Sequence, residues 1–503
     1  MTGMKRKDTE LAVGGFRDFY PELYGKIDII LKVFRQVPKL FGYVEYECPT
    51  VEPIKLYQMK SGSALIEETF NVTDRKDRRL VLRPETTPSL ARMLAAQQQF
   101  YPRPIRWFSV SRVFRDETQQ RGRVKEFWQL NVDYLGIEDI AADAEVIDIL
   151  ANIILTLGFT PADFVIRIND RRLIQSFIES LGLKNYVEII RVLDRRDKLL
   201  QEFLEERLRQ QGYPTSKATN IALQLRRLAA GNQDAKAKLP RNKQVTELAK
   251  NLPAIIEEAI AGGLEEIGVP KETALKLTRF SSIRGTPANF LQSMDNLELE
   301  SKTRQSLEPL RILASHLQDL GVDKCCEYDA SIARGLDYYT GIVFEAWDRS
   351  TNIPRAIAGG GRYDDLVSVF KGQRLPGTGF GFGETVILQL AEDKGILPPP
   401  TPPASIYLAP VSKKQLSTCR QLATRLRRKG IRTIFNGFPW SLTKHLEDAG
   451  KRKIPLAAIV GPKELAKNSV NVRDLVTGSE KIVKIDKLAQ FVLAHSRTTE
   501  NRV

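Results

Sequence analysis

The eight residues Leu397 to Ala404, LPPPTPPA, set the first limit on what this 503-residue chain can become. Each proline fixes φ and lacks an N–H, so no helix or central strand runs through them, and the segment reads as a semi-rigid extended spacer. A chain this long exceeds one hydrophobic core, so two to four domains are expected, with a large body before the spacer and a small domain after it. Charge divides at the same place. The formal net is +15, and Ala404 to Val503 holds 20 Lys+Arg against 7 Asp+Glu, a net of +13, which leaves +2 for the other 403 residues. A basic excess confined to one module is the electrostatic footprint of nucleic-acid binding; the alternative is a solvated basic face with no partner. No run approaches the roughly 20 apolar residues of a membrane span. The start, MTGMKRKDTE, has no apolar signal core, so a cytoplasmic location is expected. Four cysteines without a CxxC pair and three histidines give no basis for a disulfide framework or a metal site.

After the spacer, SIYLAPV, IRTIFN and PLAAIVG read as short buried strands, and Lys413 to Lys429 and Ser441 to Gly450 as helices. Ser441 is a candidate N-cap, and Pro462 is placed to open a further helix. This strand–helix alternation predicts a parallel sheet covered by helices. Before the spacer, residues 171–320 are rich in leucine and charge at helical spacing, with no strand alternation and no recognisable chemistry, as expected of a helical insertion. Tyr24 to Phe41 has the spacing of an amphipathic helix, and Pro49 and Pro53 stop its continuation.

Ile105 to Gly136 contains two strand-like arms around the polar loop DETQQRGRVK, the pattern of a long antiparallel hairpin. Strand alternation puts Trp128, Leu130, Val132 and Tyr134 on one face, and Phe127, Gln129, Asn131 and Asp133 on the other. Arg115 ends the first arm, while Arg121, Arg123 and Lys125 crowd the loop, so a polar sheet face lies beside a cluster of cations. Two further stretches, RGLDYYTGIVFEAW (Arg334 to Trp347) and AGGGRYDDLV (Ala358 to Val367), join glycine to tyrosine. Glycine lets backbone approach a ligand closely, and tyrosine offers a rigid ring with a hydroxyl handle.

Together with GFRDFYP and RPETTPSLARM upstream, these segments, in this order, resemble the histidyl-tRNA synthetases, class II aminoacyl-tRNA ligases. The resemblance implies an α/β protein. Residues 1–170 and 321–396 would be an α+β class II catalytic core on an antiparallel sheet, 171–320 a helical insertion near the tRNA acceptor stem, 397–404 the linker, and 405–503 an α/β anticodon-binding domain whose closing strand pair, VNVRDLVTGSEKIVKI, turns near Thr477-Gly478. It also implies a homodimer formed through the first helix, with L-histidine, ATP and tRNA(His) as ligands, and Mg2+ accompanying ATP. The hairpin matches the motif whose arginine holds the ATP α-phosphate, which makes Arg115 and Arg334 the catalytic candidates and Arg115, Glu117 and Arg123 the ATP ligands. Histidine would be held by Glu85, Thr86, Thr87, Gln129, Asp133, Arg334, Tyr338, Tyr339 and Tyr363, with Asp133 and Tyr339 at the imidazole and Glu85 and Gln129 at the α-ammonium.

Two positions depart from the family pattern. In GFGFGETVI (Gly379 to Ile387) the third-motif arginine that pins ATP is Val386, a variant similar to that of plant-organelle and some bacterial enzymes; Arg123 is expected to take over part of its work. Asp133 stands where glutamate is common and is one methylene shorter, so its contact with the ring is expected to run through water. The alternative function is a synthetase-like regulator or sensor that kept the pocket and lost the chemistry.

Overall fold

The computed structural model describes residues 13–59, 66–117, 122–229, 234–332, 338–350, 353, 355–399 and 401–500. The chain divides into two compact units, Met1–Leu397 and Pro398–Val503. In the first unit the strands are β1 (Val44–Glu45), β2 (Val51–Pro53), β3 (Asn71–Thr73), β4 (Arg79–Leu82), β5 (Ile105–Phe114), β6 (Glu126–Leu135), β7 (Phe164–Asp170), β8 (Arg284–Gly285), β9 (Cys326–Asp329), β10 (Ile342–Asp348), β11 (Ala358–Arg362) and β12 (Gly377–Gly383). Nine of them form one sheet in the order β1-β5-β6-β12-β11-β10-β7-β9-β8, and β2-β4-β3 form a small separate one. The large sheet is antiparallel from β5 through β7, with parallel pairs only at β1–β5 and β7–β9.

One face of this sheet is packed and the other is open to ligands, and alternation along the strands decides which residues go where. In β6, Trp128, Leu130, Val132 and Tyr134 join the main core. That core is closed by the helices Pro21–Leu40, Ile140–Thr156 and Glu384–Lys394, which contribute Ile27, Phe34, Ile147, Leu150 and Ile387. β12, GTGFGFG, carries the rule furthest: Phe380 and Phe382 fill the core, while Gly379, Gly381 and Gly383 leave the opposite face bare. No side chain fits at two crossing points of the centre. A Cβ on Gly360 would lie 2.3 Å from the Gly379 carbonyl oxygen, and one on Gly379 would lie 2.4 Å from that of Val132. β11 is tied to the core helix by a buried ion pair between Arg362 and Asp143, 2.5 Å apart. Arg362 also donates to the carbonyls of Ile137 and Asp139 at the entry to that helix.

Residues 171–320 are almost wholly helical, but they do not all form a separate body. Leu200 to Ala259 supply an apolar cluster of their own. The helices Arg171–Ser180, Tyr186–Asp194, Lys271–Ser281 and Glu308–Asp319 instead bury Leu173, Ile189, Leu277 and Leu313 in the main core. β8, too short to show alternation, pairs antiparallel with β9.

The second unit has β13 (Ile406–Pro410), β14 (Thr433–Ile434), β15 (Leu456–Val460), β16 (Ser469–Asp474) and β17 (Glu480–Lys484), in the order β14-β13-β15-β16-β17. Its first three strands are parallel, but β16 and β17 are antiparallel, so the sheet is mixed rather than parallel throughout. The reasons are local: β15 returns to β16 through the four-residue helix Pro462–Leu465, too short for a crossover, and a hairpin turn through Gly478, at φ +77°, joins β16 to β17. Helices Leu416–Arg428 and Leu442–Lys451 lie where periodicity puts them, and the Ser441 hydroxyl accepts from the Lys444 N–H at 3.3 Å. No helix among the described residues is long and apolar enough to cross a membrane.

Candidate active site

The bare face of the large sheet floors a cavity of about 230 Å³. β6 contributes Phe127, Gln129, Asn131 and Asp133, while Glu85 and Thr87 come from the turn into the helix Thr87–Gln97. Tyr338, Tyr339 and Tyr363 form the wall at one end; Arg115, Glu117, Arg123 and Arg355 gather at the other.

The tyrosine end is deeply buried and polar. Asp133 is 1% exposed, and its Oδ1 accepts from the Tyr363 hydroxyl. Its Oδ2 has no hydrogen-bond partner among the described residues. Desolvation raises the Asp133 carboxyl to about 7, against the opposing Tyr363 hydrogen bond and with the charge of Glu85 adding to the rise. A buried acceptor left open is costly unless something supplies an N–H, so this end is built to receive a donor. Tyr338 donates to Glu85 at 3.4 Å, Gln129 to Asn131 at 2.8 Å, and Asn131 to Thr87 at 3.3 Å. Burial raises the hydroxyls of Tyr338, Tyr339 and Tyr363, which therefore stay protonated.

The arginine end is cationic. Glu117 pairs with Arg123 at 2.6 Å, with Arg355 at 3.6 Å and with Arg115 at 4.0 Å. Glu68 lies beside Glu117, and burial with the charge of Glu117 raises its carboxyl; three guanidinium groups against these two acids leave a net positive mouth suited to phosphate oxygens. Arg115 is aimed by donating Nε to the Pro84 carbonyl at 3.0 Å, and it lies over the Phe127 ring.

The structure brings together Glu85, Thr87, Arg115, Glu117, Arg123, Gln129, Asp133, Tyr338, Tyr339 and Tyr363. Thr86 is not among them: it is fully buried and precedes the helix as its cap residue, so its side chain does not line the cavity. Arg334 and Arg121 lie outside the described residues. Asn131 and Arg355 were missed as site residues. Asn131 shared the polar face of β6 and was legible there; Arg355 carried no signal, being one arginine in a connection.

Glu384, next to the altered third motif, faces away from the mouth. It pairs with Arg17 at 2.5 Å and accepts from the Trp128 N–H at 3.0 Å, which fixes the start of its helix to the N-terminal segment and to β6. Val386 and Thr385 do line the cavity. A Cβ placed on Gly122 would meet Ile353 at 3.3 Å, Val386 at 3.5 Å and the Arg355 side chain at 3.8 Å, so Arg355 packs close to the position that lacks its arginine.

Residues 15–263 and 256–384 match the Histidyl-tRNA synthetase family, and residues 405–495 match the Anticodon binding domain. The chain belongs to the histidyl-tRNA synthetase family. The histidine–tRNA ligase of Pyrococcus furiosus is 30% identical over 95% of this chain and 98% of its own length, and that of Opitutus terrae is 31% identical over 95% and 97%. The crystal structure of histidyl-tRNA synthetase from Nostoc sp. PCC 7120 matches with a TM-score of 0.75 at 24% identity, covering 96% of this chain and 99% of that one; the likeness supports the shared fold. As a histidyl-tRNA synthetase family member, the chain has the catalytic fold, with its cavity on the open sheet face, followed by the anticodon-binding module.

Proposed function

We propose that this chain is a working histidine–tRNA ligase whose cavity holds histidine at the tyrosine end and ATP at the arginine end. The observation that carries the reading is the open, buried Oδ2 of Asp133, set in one cavity with the arginine cluster. Neutral imidazole has one donor and one acceptor at fixed positions. Asp133 takes its N–H through a bridging water, its side chain being one methylene short of glutamate, and a tyrosine hydroxyl, Tyr339 being the candidate, supplies the matching donor. Glu85, Gln129 and Thr87 take the α-ammonium.

In the first step a histidine carboxylate oxygen attacks the α-phosphorus and the bond to pyrophosphate breaks. The carboxylate is already anionic at neutral pH, so no base is needed. The demands are in-line placement and neutralisation of the charge spread over the phosphate oxygens. Arg115 serves the α-phosphate; Arg334 is proposed beside it from the family match. Arg123 and Arg355 share the outer phosphates in place of the third-motif arginine, with Glu117 steering both before ATP arrives. In the second step a hydroxyl of the terminal tRNA ribose attacks the histidyl carbonyl and AMP leaves.

Mg2+ enters with ATP: the carboxyls at the arginine end are Glu117 and its neighbour Glu68, and three guanidinium groups around Glu117 make a poor cage for a resident cation. The Pro21–Leu40 helix is the proposed dimer element by family position. The four cysteines are buried and unpaired, which fits the reducing cytoplasm.

The test is transfer of labelled histidine to tRNA(His) with ATP, in the wild type and in Asp133→Ala. The wild type should charge tRNA, and the variant should show a KM for histidine raised about tenfold or more, the scale of a hydrogen bond to a charged group, with little change for ATP. Equal effects on both constants remove Asp133 from the ring-binding role.

A further inference from the structure

The C-terminal unit carries a partly exposed aromatic pair on a buried polar frame. Phe438 is 57% exposed, and its ring stacks on Trp440 with centroids 5.3 Å apart and 22° between the planes. The Lys444 ammonium sits 4.8 Å from the Trp440 ring centroid. A single surface aromatic needs no explanation, but this pair is braced from below. Trp440 packs on the buried His445, with ring centroids 5.5 Å apart. His445 Nδ1 shares a 3.0 Å hydrogen bond with the Tyr407 hydroxyl. Asn436 donates to that same hydroxyl oxygen at 3.2 Å and to Asp448 at 2.8 Å. Burial lowers the His445 pKa, so the frame is held by a neutral ring. Pro439 fixes the backbone between the two aromatics, and the Ser441 cap anchors the helix that follows. Loop, strand and helix thus hold the pair so that the Phe438 ring, backed by the half-buried Trp440, faces solvent.

We infer that Phe438 and Trp440 form a stacking platform for a nucleobase of the tRNA anticodon loop, with Lys444 beside the adjoining phosphate. The occupant has to be flat with an apolar face and to carry negative charge close by, and an unstacked base in a single-stranded loop meets both demands. The module around the platform has a net charge of +13. The match to the Anticodon binding domain spans all of these residues. Bases within a tRNA stem are already stacked and cannot occupy such a surface, which points to the loop. The inference rests on the reading of this chain as a tRNA ligase.

The experiment compares wild type, Phe438→Ala and Phe438→Tyr in the full-length protein. It measures the Kd for tRNA(His), charging of tRNA(His), charging of an acceptor-stem minihelix that lacks the anticodon arm, and histidine-dependent pyrophosphate exchange. Phe438→Ala should weaken tRNA binding and lower kcat/KM for full-length tRNA by about tenfold, the scale of one lost base–aromatic stack. Phe438→Tyr should stay close to wild type, and exchange and minihelix charging should not move. An unchanged Kd for tRNA(His) in Phe438→Ala overturns the platform and leaves the exposed ring to another partner. An equal loss on the minihelix overturns it too, because the effect then lies outside the anticodon. If the wild type shows no exchange, the ligase reading fails, while the Kd comparison still decides the platform.

Discussion

Burial at Asp133 has a consequence for stability. Its carboxyl, near 4 in an unfolded chain, is raised to about 7 in the fold because the charged form is desolvated. A raised acid favours folding while it is protonated, and that contribution is lost as pH rises from about 4 through about 7. The ligand-free protein should therefore lose a component of thermal stability between about pH 4 and about pH 7 that Asp133→Asn lacks. Melting curves of the two proteins across that range check it; parallel curves would show that Asp133 is not the group responsible. Arg355 gives a second expectation. Truncation to Ala should raise the KM for ATP about tenfold and leave that for histidine unchanged, since Arg355 pairs with Glu117 at the arginine end, the end proposed for the phosphates. A KM for ATP equal to wild type would leave the Val386 gap to Arg123. Asp133 was legible because strand alternation assigns its face. Arg355 was not, because no periodicity reaches the connection before β11. Within the single cluster GGGRYDD, Tyr363 turns to the cavity while Arg362 turns to Asp143, and sequence has no way to separate those two directions.

The central strands hold at element scale because β11 and β12 are made of glycine where they cross. Replacing Gly360 with Ala puts a Cβ 2.3 Å from a backbone oxygen that has no room to move. That variant should fail to fold or melt well below the wild type. Gly381→Ala meets only the Gln129 side chain, at 3.1 Å, and should fold while impairing the site. Equal thermal stability of Gly360→Ala and wild type would contradict this packing. The hairpin β5–β6 was legible from its alternation because one face is apolar and the other is not. The helices around Leu200 to Ala259 were legible as helices, but their partition between a separate cluster and the main core was not. Periodicity reports that a face is apolar without naming the surface that covers it. After the spacer, the parallel strands β13, β14 and β15 and the closing pair β16–β17 were legible; that β16 runs antiparallel to β15 was not, because only the short connection decides it.

For the whole molecule, the break at Leu397 separates the described cavity from the basic module, and the account assigns each its own task. Residues 1–397 contain the whole described cavity, whereas the basic excess lies after the spacer. A protein ending at Leu397 should still activate histidine but charge tRNA poorly. Charging by the full chain should also weaken with added salt more steeply than activation, because a tRNA displaces many more counterions than one ATP does. Loss of activation in the shortened protein, in a form that still melts cooperatively, would contradict that division. The division itself was legible from the proline run and the charge count; the arrangement of the cavity was not, since it joins residues from Glu85 to Val386. The central claim is that this cavity joins histidine to AMP despite valine at the third-motif position. Pyrophosphate exchange into ATP, run with each of the twenty amino acids in turn, tests it without tRNA. The account predicts exchange with histidine alone, abolished or strongly reduced in Arg115→Ala. No exchange from protein that binds histidine would contradict it.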